Sequence, residues 1–184
     1  MLVKAKLKFT HIQKPDENNK YSTAFFCLDK EQEKELIAAI NADWAANKGS
    51  YTKAPKSLSY NEYKNEENDQ DEDNGKIIFN ASQNAQSSDG KYTFKVAVYD
   101  SKAKLIPEEQ VPSIGWGTIA NLSVTTYCWT YQSTKGIKLN LEAVQILDLV
   151  EYNGGNPFAE AEEGKFVAAT NPFEVKNTPK VEGL

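Results

Sequence analysis

Arginine is missing from this sequence; all 21 basic residues are lysine. Arginine is the side chain that grips carboxylates, phosphates and base edges with two parallel hydrogen bonds, so its absence excludes that mode and leaves point-charge contact with phosphate. Histidine is nearly missing too. His11 has no neighbouring carboxylate or cysteine cluster and reads as a surface or strand residue rather than a catalyst. Cys27 and Cys128 lie far apart without metal-ligand spacing and read as buried small hydrophobes, with a disulfide as the lesser alternative. No apolar run approaches the roughly 20 residues that a membrane-crossing helix needs. The N-terminus alternates from Met1 to Lys6 instead of setting a charged segment before an apolar block, so no signal peptide is expected.

Catalytic motifs are absent as well. The sequence holds no GxxxxGK[ST] loop, no HExxH and no CxxC pair. The run Asp69 to Gly75 lacks the spacing and terminal glutamate of a calcium loop. Asp100 is the one carboxylate at an expected strand end, and a two-metal nuclease needs more. The expectation is a chain that is not an enzyme and needs no cofactor or metal.

What is present begins with a sorting of charge. At 184 residues the chain suits one domain, and its net charge of −5 argues at first against nucleic acid. Counted by segment, residues 1–60 carry +3, 61–75 carry −6, 76–141 carry +3 and 142–184 carry −5. The body is thus mildly basic, and the acids gather in one internal loop and the C-terminal part. Charges are screened over roughly 10 Å at ordinary salt, so a basic groove can coexist with an acidic total. The plainer reading is that the acidic segments serve solubility.

Alternation predicts the elements. Val3, Ala5, Leu7 and Phe9 face one way along a first strand, with Lys4, Lys6 and Lys8 on the other face. Residues 21–28 read as a buried second strand. A helix follows, with Asp29 as N-cap, Gln32 completing a capping box, and Leu36, Ile37, Ile40 and Trp44 as its apolar stripe up to Gly49. From Ser50 to Gly75 a long loop is expected, its acidic half (61–75) too polar to order itself. Its front half mixes Tyr51, Lys53, Lys56 and Tyr60, either as a flap over a bound strand or as a plain solvated loop. Short strands are predicted at 76–80, 92–99, 122–131 and 137–141, with 143–150 as strand or short helix. Trp116 between Gly115 and Gly117 marks close backbone approach or a bulge. The domain is expected to end near 152, and residues 153–184 read as a flexible tail. Together these elements predict a mainly β fold, an OB-type barrel of five or six strands with one or two helices, with a β-sandwich as the alternative.

One strand carries the functional signal. Leu122, Val124, Thr126 and Cys128 alternate with Ser123, Thr125, Tyr127, Trp129 and Tyr131. If the apolar set serves the core, three large rings face outward, where bases of a single strand can stack while lysines track its phosphates. The candidate DNA-binding residues are Tyr127, Trp129 and Tyr131 for stacking, Trp116 at the rim, and Lys4, Lys6, Lys8, Lys95, Lys135 and Lys138 for phosphates. The competing reading is that the helix or a partner in a homodimer covers this face.

The stretch from Tyr92 to Leu149 resembles the phage single-stranded DNA-binding protein family with an OB-fold. The resemblance rests on Val98-Tyr99-Asp100, Gly115-Trp116-Gly117, Tyr127 to Tyr131, Lys135-Gly136-Ile137 and, through Leu141, Ala143-Val144-Gln145. It implies a protein that coats single-stranded DNA during replication or recombination in the cytoplasm of the bacterial host, recruiting replication or recombination proteins through its tail. The tail departs from the family pattern, since its last stretch, Val175 to Leu184, is near neutral. Stacking and lysine contacts serve RNA equally. The alternative is a non-enzymatic structural or protein-interaction barrel or sandwich that uses the same rings against protein.

Overall fold

The computed structural model describes residues 1–50 and 58–152. These belong to one compact unit, Met1–Gly154; a second, Gly155–Leu184, lies outside the described residues, as do Tyr51, Lys53 and Lys56 and the whole expected tail. The strands are β1 (Leu2–His11), β2 (Lys20–Cys27), β3 (Tyr60–Glu62), β4 (Ile77–Asn84), β5 (Ala97–Tyr99), β6 (Ile119–Tyr131) and β7 (Thr134–Asp148), with helix α1 at Lys30–Asn47.

Pairing closes a barrel. β1 lies antiparallel between β2 and β6, β2 pairs with β4, and β6 with β7. A parallel contact between Ala81 and Leu139 joins β4 to β7, so β1-β2-β4-β7-β6 returns on itself. This is the predicted OB-type arrangement; β3 and β5 add outer strands on β4 and β7. Inside, Val3, Leu7, Phe25, Phe79, Leu122, Val124, Leu139 and Leu141 are fully buried, and Phe25 stacks on Phe79 at 5.4 Å. Each such side chain contributes about 1.5–3 kcal/mol by leaving water. Leu36 and Ile40 of α1 join this core, with Trp44 partly buried beside it.

Several elements differ from their sequence-based outlines. β4 runs on to Asn84, because β2 continues its ladder as far as the Lys20–Asn84 pair. β5 is only three residues long, so Tyr92 and Phe94 of the expected strand 92–99 lie outside it and are exposed. The expected strand 137–141 and the element at 143–150, open between strand and short helix, are one strand of 15 residues. Its register against β6 shifts at Ser123/Val124, and such bulges let a long strand curl around a barrel. Asp29 caps α1 by accepting from Glu31 and Gln32 backbone amides, but Gln32 accepts from the Lys4 amide of β1 rather than closing a capping box. Cys27 and Cys128 are both half-buried thiols.

Two differences reshape the candidate surface. The pairing of β1 with β2 shifts between Lys8 and His11, and Phe9 takes φ 52°. A one-residue slip exchanges faces, so Phe9, which alternation groups with Val3, Ala5 and Leu7, is 63% exposed, while Lys8 stays on the Lys6 face and is buried there under the acidic segment and Trp116. The acidic segment is held in place rather than being the flexible loop that composition predicts. Asp71 accepts from Asn65 (2.9 Å) and Tyr63 (3.2 Å), and Asp73 pairs with Lys6 and Lys76, each at 2.8 Å. Charge pairing does here what apolar burial could not.

Candidate nucleic-acid interface

The β6–β7 hairpin sets the rings. Tyr127 lies opposite Lys138, Trp129 opposite Gly136 and Tyr131 opposite Thr134, on the face away from Val124 and Leu141. Tyr127 is 50% exposed and Tyr131 68%, so the helix does not cover this face. Lys138 Nζ stands 5.7 Å from the Tyr127 ring centre. Trp129 is half-buried because its ring rests against Gly136 of the neighbouring strand.

Beside the hairpin, two hollows share Phe9 and His11 in their walls. One, of about 420 Å³, is lined by Phe9, His11, Ser22, Asn80, Ser82 and Lys138. The other, of about 530 Å³, runs between Phe9, Trp116 and Tyr152, with His11 and Lys14 at its side. The two glycines around Trp116 explain its position. At Gly115 a Cβ would lie 2.8 Å from the Val150 carbonyl oxygen, and Gly117 takes φ 94° while its amide donates to Leu7. Close approach thus demands glycine at 115 and the positive φ favours it at 117, and the turn lifts Trp116 to 49% exposure beside Phe9.

The lysines divide by partner. Lys138 lines the hollow, half-buried, and burial together with nearby Lys20 holds its pKa below the ordinary value of 10.5. An anion there would relieve the repulsion between them. Lys4 is exposed on β1. Lys6 and Lys8 are turned to the acidic segment. Burial pulls Lys6 down, but hydrogen bonds to Asp73 and Glu72 hold its pKa above normal. Lys8 is 0% exposed; its Nζ donates to the Tyr63 hydroxyl, pairs with Asp71 at 3.6 Å and stands 3.4 Å from the Trp116 ring centre. Lys95 pairs with Glu108 across another hollow. Lys135 Nζ lies 3.4 Å from the Lys48 carbonyl and 3.5 Å from that of Asn47. It supplies positive charge to the C-terminus of α1, whose own last turn has no basic residue.

Sequence reasoning thus missed Phe9, Lys20 and His11. Phe9 was hidden by regular alternation, since nothing in the residue types marks the bulge. Lys20 follows Pro15 to Asn19, a turn legible as such, and a lysine closing that turn was the available signal. Among the described residues no cluster of metal-ligating side chains exists, and no helix is long and apolar enough to cross a membrane.

Known proteins resemble the chain as follows. A family model, the single-stranded DNA-binding protein of bacteriophage T7, matches residues 7–149. No curated protein sequence matches significantly. Among solved structures, gp2.5, a single-stranded DNA-binding protein encoded by bacteriophage T7, is similar at 21% identity and TM-score 0.52, over 88% of this chain and 96% of that one. The single-stranded DNA-binding protein from bacteriophage Enc34, in complex with single-stranded DNA, is similar at 16% identity and TM-score 0.59, over 81% of this chain and 85% of that one.

Proposed function

Because the chain belongs to the bacteriophage T7 single-stranded DNA-binding protein family, we propose that it coats single strands along the path from Trp116 past Phe9 to the β6–β7 hairpin. The observation that carries this reading is the set of exposed rings, Trp116, Phe9, Tyr127 and Tyr131, beside two hollows that share Phe9 and His11. Base–ring stacking contributes about 1–3 kcal/mol per base whatever its identity, so binding is sequence-tolerant. Trp129 adds the side of its ring that faces away from Gly136. Lys138, Lys20 and Lys4 meet phosphates. Lys6, Lys8, Lys95 and Lys135 have protein partners and contribute to the surface indirectly.

The protein acts without catalysis, in the cytoplasm of the infected host, during replication or recombination. Its single-strand-binding domain spans residues 1–152, and the tail beyond offers glutamates to replication or recombination proteins. The test is a competition in which labelled oligo-dT is displaced by unlabelled oligo-dT, oligo-dC or duplex DNA. Equal displacement by both single strands and little by duplex is expected; preference for duplex, or no complex at low salt, overturns the reading.

A further inference from the structure

Lys8 is a fully buried lysine in the middle of a proposed DNA-binding surface. A cation taken out of water needs a partner charge and hydrogen bonds, and all of Lys8's come from the acidic segment and the rings beside it. The Tyr63 hydroxyl accepts from Lys8 Nζ and donates to Asp71 at 3.2 Å, and Asp71 pairs with Lys8 directly at 3.6 Å. The ammonium stands 3.9 Å from the Tyr63 ring centre and 3.4 Å from that of Trp116. It therefore sits between the two rings as a shared cation, an attraction that strengthens where water is excluded. Asp71 is itself fixed by Asn65 at 2.9 Å and by the Asp73 amide at 3.0 Å.

We propose that the acidic segment is a positioning element of the strand-binding surface, in which Asp71 fixes Lys8 and Lys8 fixes the Trp116 ring. This rests on the reading that Trp116 stacks on bases. It has a consequence opposite to simple electrostatics. Removing an acidic charge near a DNA site ordinarily tightens binding, but removing Asp71 loosens the Lys8–Trp116 contact and weakens it. Lys8, although basic, contributes no phosphate contact.

The test measures oligo-dT binding by anisotropy over a salt series, using the full chain. Asp71→Asn and Lys8→Met are each expected to weaken binding about fivefold to tenfold, a part of the stacking lost with the ring, without changing the slope of log affinity against log salt. In a Trp116→Ala background neither is expected to add a further loss. Glu66→Gln, which removes an exposed acid of the same segment away from Lys8, leaves binding equal or tighter. Asn65→Ala reaches Asp71 without altering any charge and is expected to weaken binding in the same direction; it decides the matter if Lys8→Met fails to fold. The proposal is overturned if Asp71→Asn or Asn65→Ala binds as well as or better than the parent. It is equally overturned if Lys8→Met lowers the slope by about 0.7, the mark of a lost phosphate contact. Should Trp116→Ala itself bind like the parent, the reading of Trp116 as a stacking ring fails instead.

Discussion

The ring of Trp129 lies so close to Gly136 of the adjacent strand that a Cβ on Gly136 would stand 2.2 Å from ring carbon Cζ2 and 2.5 Å from Cε2. Only glycine lets the tryptophan rest there. The ring is rigid, and any substituent at 136 must displace it as a whole. Gly136→Ala is therefore expected to swing Trp129 off the hairpin, shift its fluorescence and weaken oligo-dT binding about tenfold, within the range for one stacked base. Unchanged emission and affinity would mean that Trp129 has no part in the site.

The bulge in β1 yields a paired prediction. Leu7 is fully buried and Phe9 exposed. Leu7→Ala is expected to cost about 2–5 kcal/mol of stability, measured by urea unfolding. Phe9→Ala is expected to leave stability nearly unchanged and to weaken single-strand binding. A loss of stability in Phe9→Ala as large as that in Leu7→Ala would restore the regular alternation and remove Phe9 from the path.

Lys135 and Lys138 are three residues apart on one strand yet differ in surroundings, the first against the α1 C-terminus and the second lining a hollow. Lys135→Ala is expected to cost about 0.3–1 kcal/mol through the α1 terminus and to leave the salt dependence of binding alone. Lys138→Met is expected to lower that salt slope by about 0.7, the contribution of one phosphate on a single strand. Equal slopes in both variants would deny Lys138 its phosphate.

Acid should loosen the segment that holds Lys8. A hydrogen bond from Asn65 and the Asp73 amide, with Lys8 nearby, hold the Asp71 pKa at about 2 against an ordinary 3.8. A depressed carboxylate contributes stability that is present above its unfolded value and lost as pH falls through its folded one. The window is thus about pH 4 down to about pH 2. Circular dichroism across this window is expected to show a steeper loss of stability for the parent than for Asp71→Asn. Parallel curves would mean that Asp71 is not paired in solution.

Much of this was legible in the sequence. The barrel followed from alternation, because a strand with one buried face writes its period of two into residue types, as in Leu122 to Tyr131. Asp29 and the α1 stripe were equally readable. What alternation could not show was where the period breaks. The slip that turns Phe9 outward depends on the pairing of β1 with β2, a long-range property that the residue itself does not announce. The order of residues 61–75 was hidden for a related reason. Composition counts Asp71 and Asp73 as repelling charges, whereas folding brings Lys6, Lys8 and Lys76 to meet them. Tyr127 and Tyr131 are exposed as alternation predicts, but four of the six candidate lysines have partners that only the fold supplies.

The central claim concerns where the strand runs, and photo-crosslinking reads that position directly. Oligo-dT carrying 5-iododeoxyuridine at successive positions would be irradiated with the full chain and the adducts mapped by mass spectrometry. Adducts are expected at Phe9, Trp116 and Tyr127, with Trp129 or Tyr131 at one end of the path. Adducts confined to α1 or to the β5 side of the barrel, with none at these rings, would contradict the account.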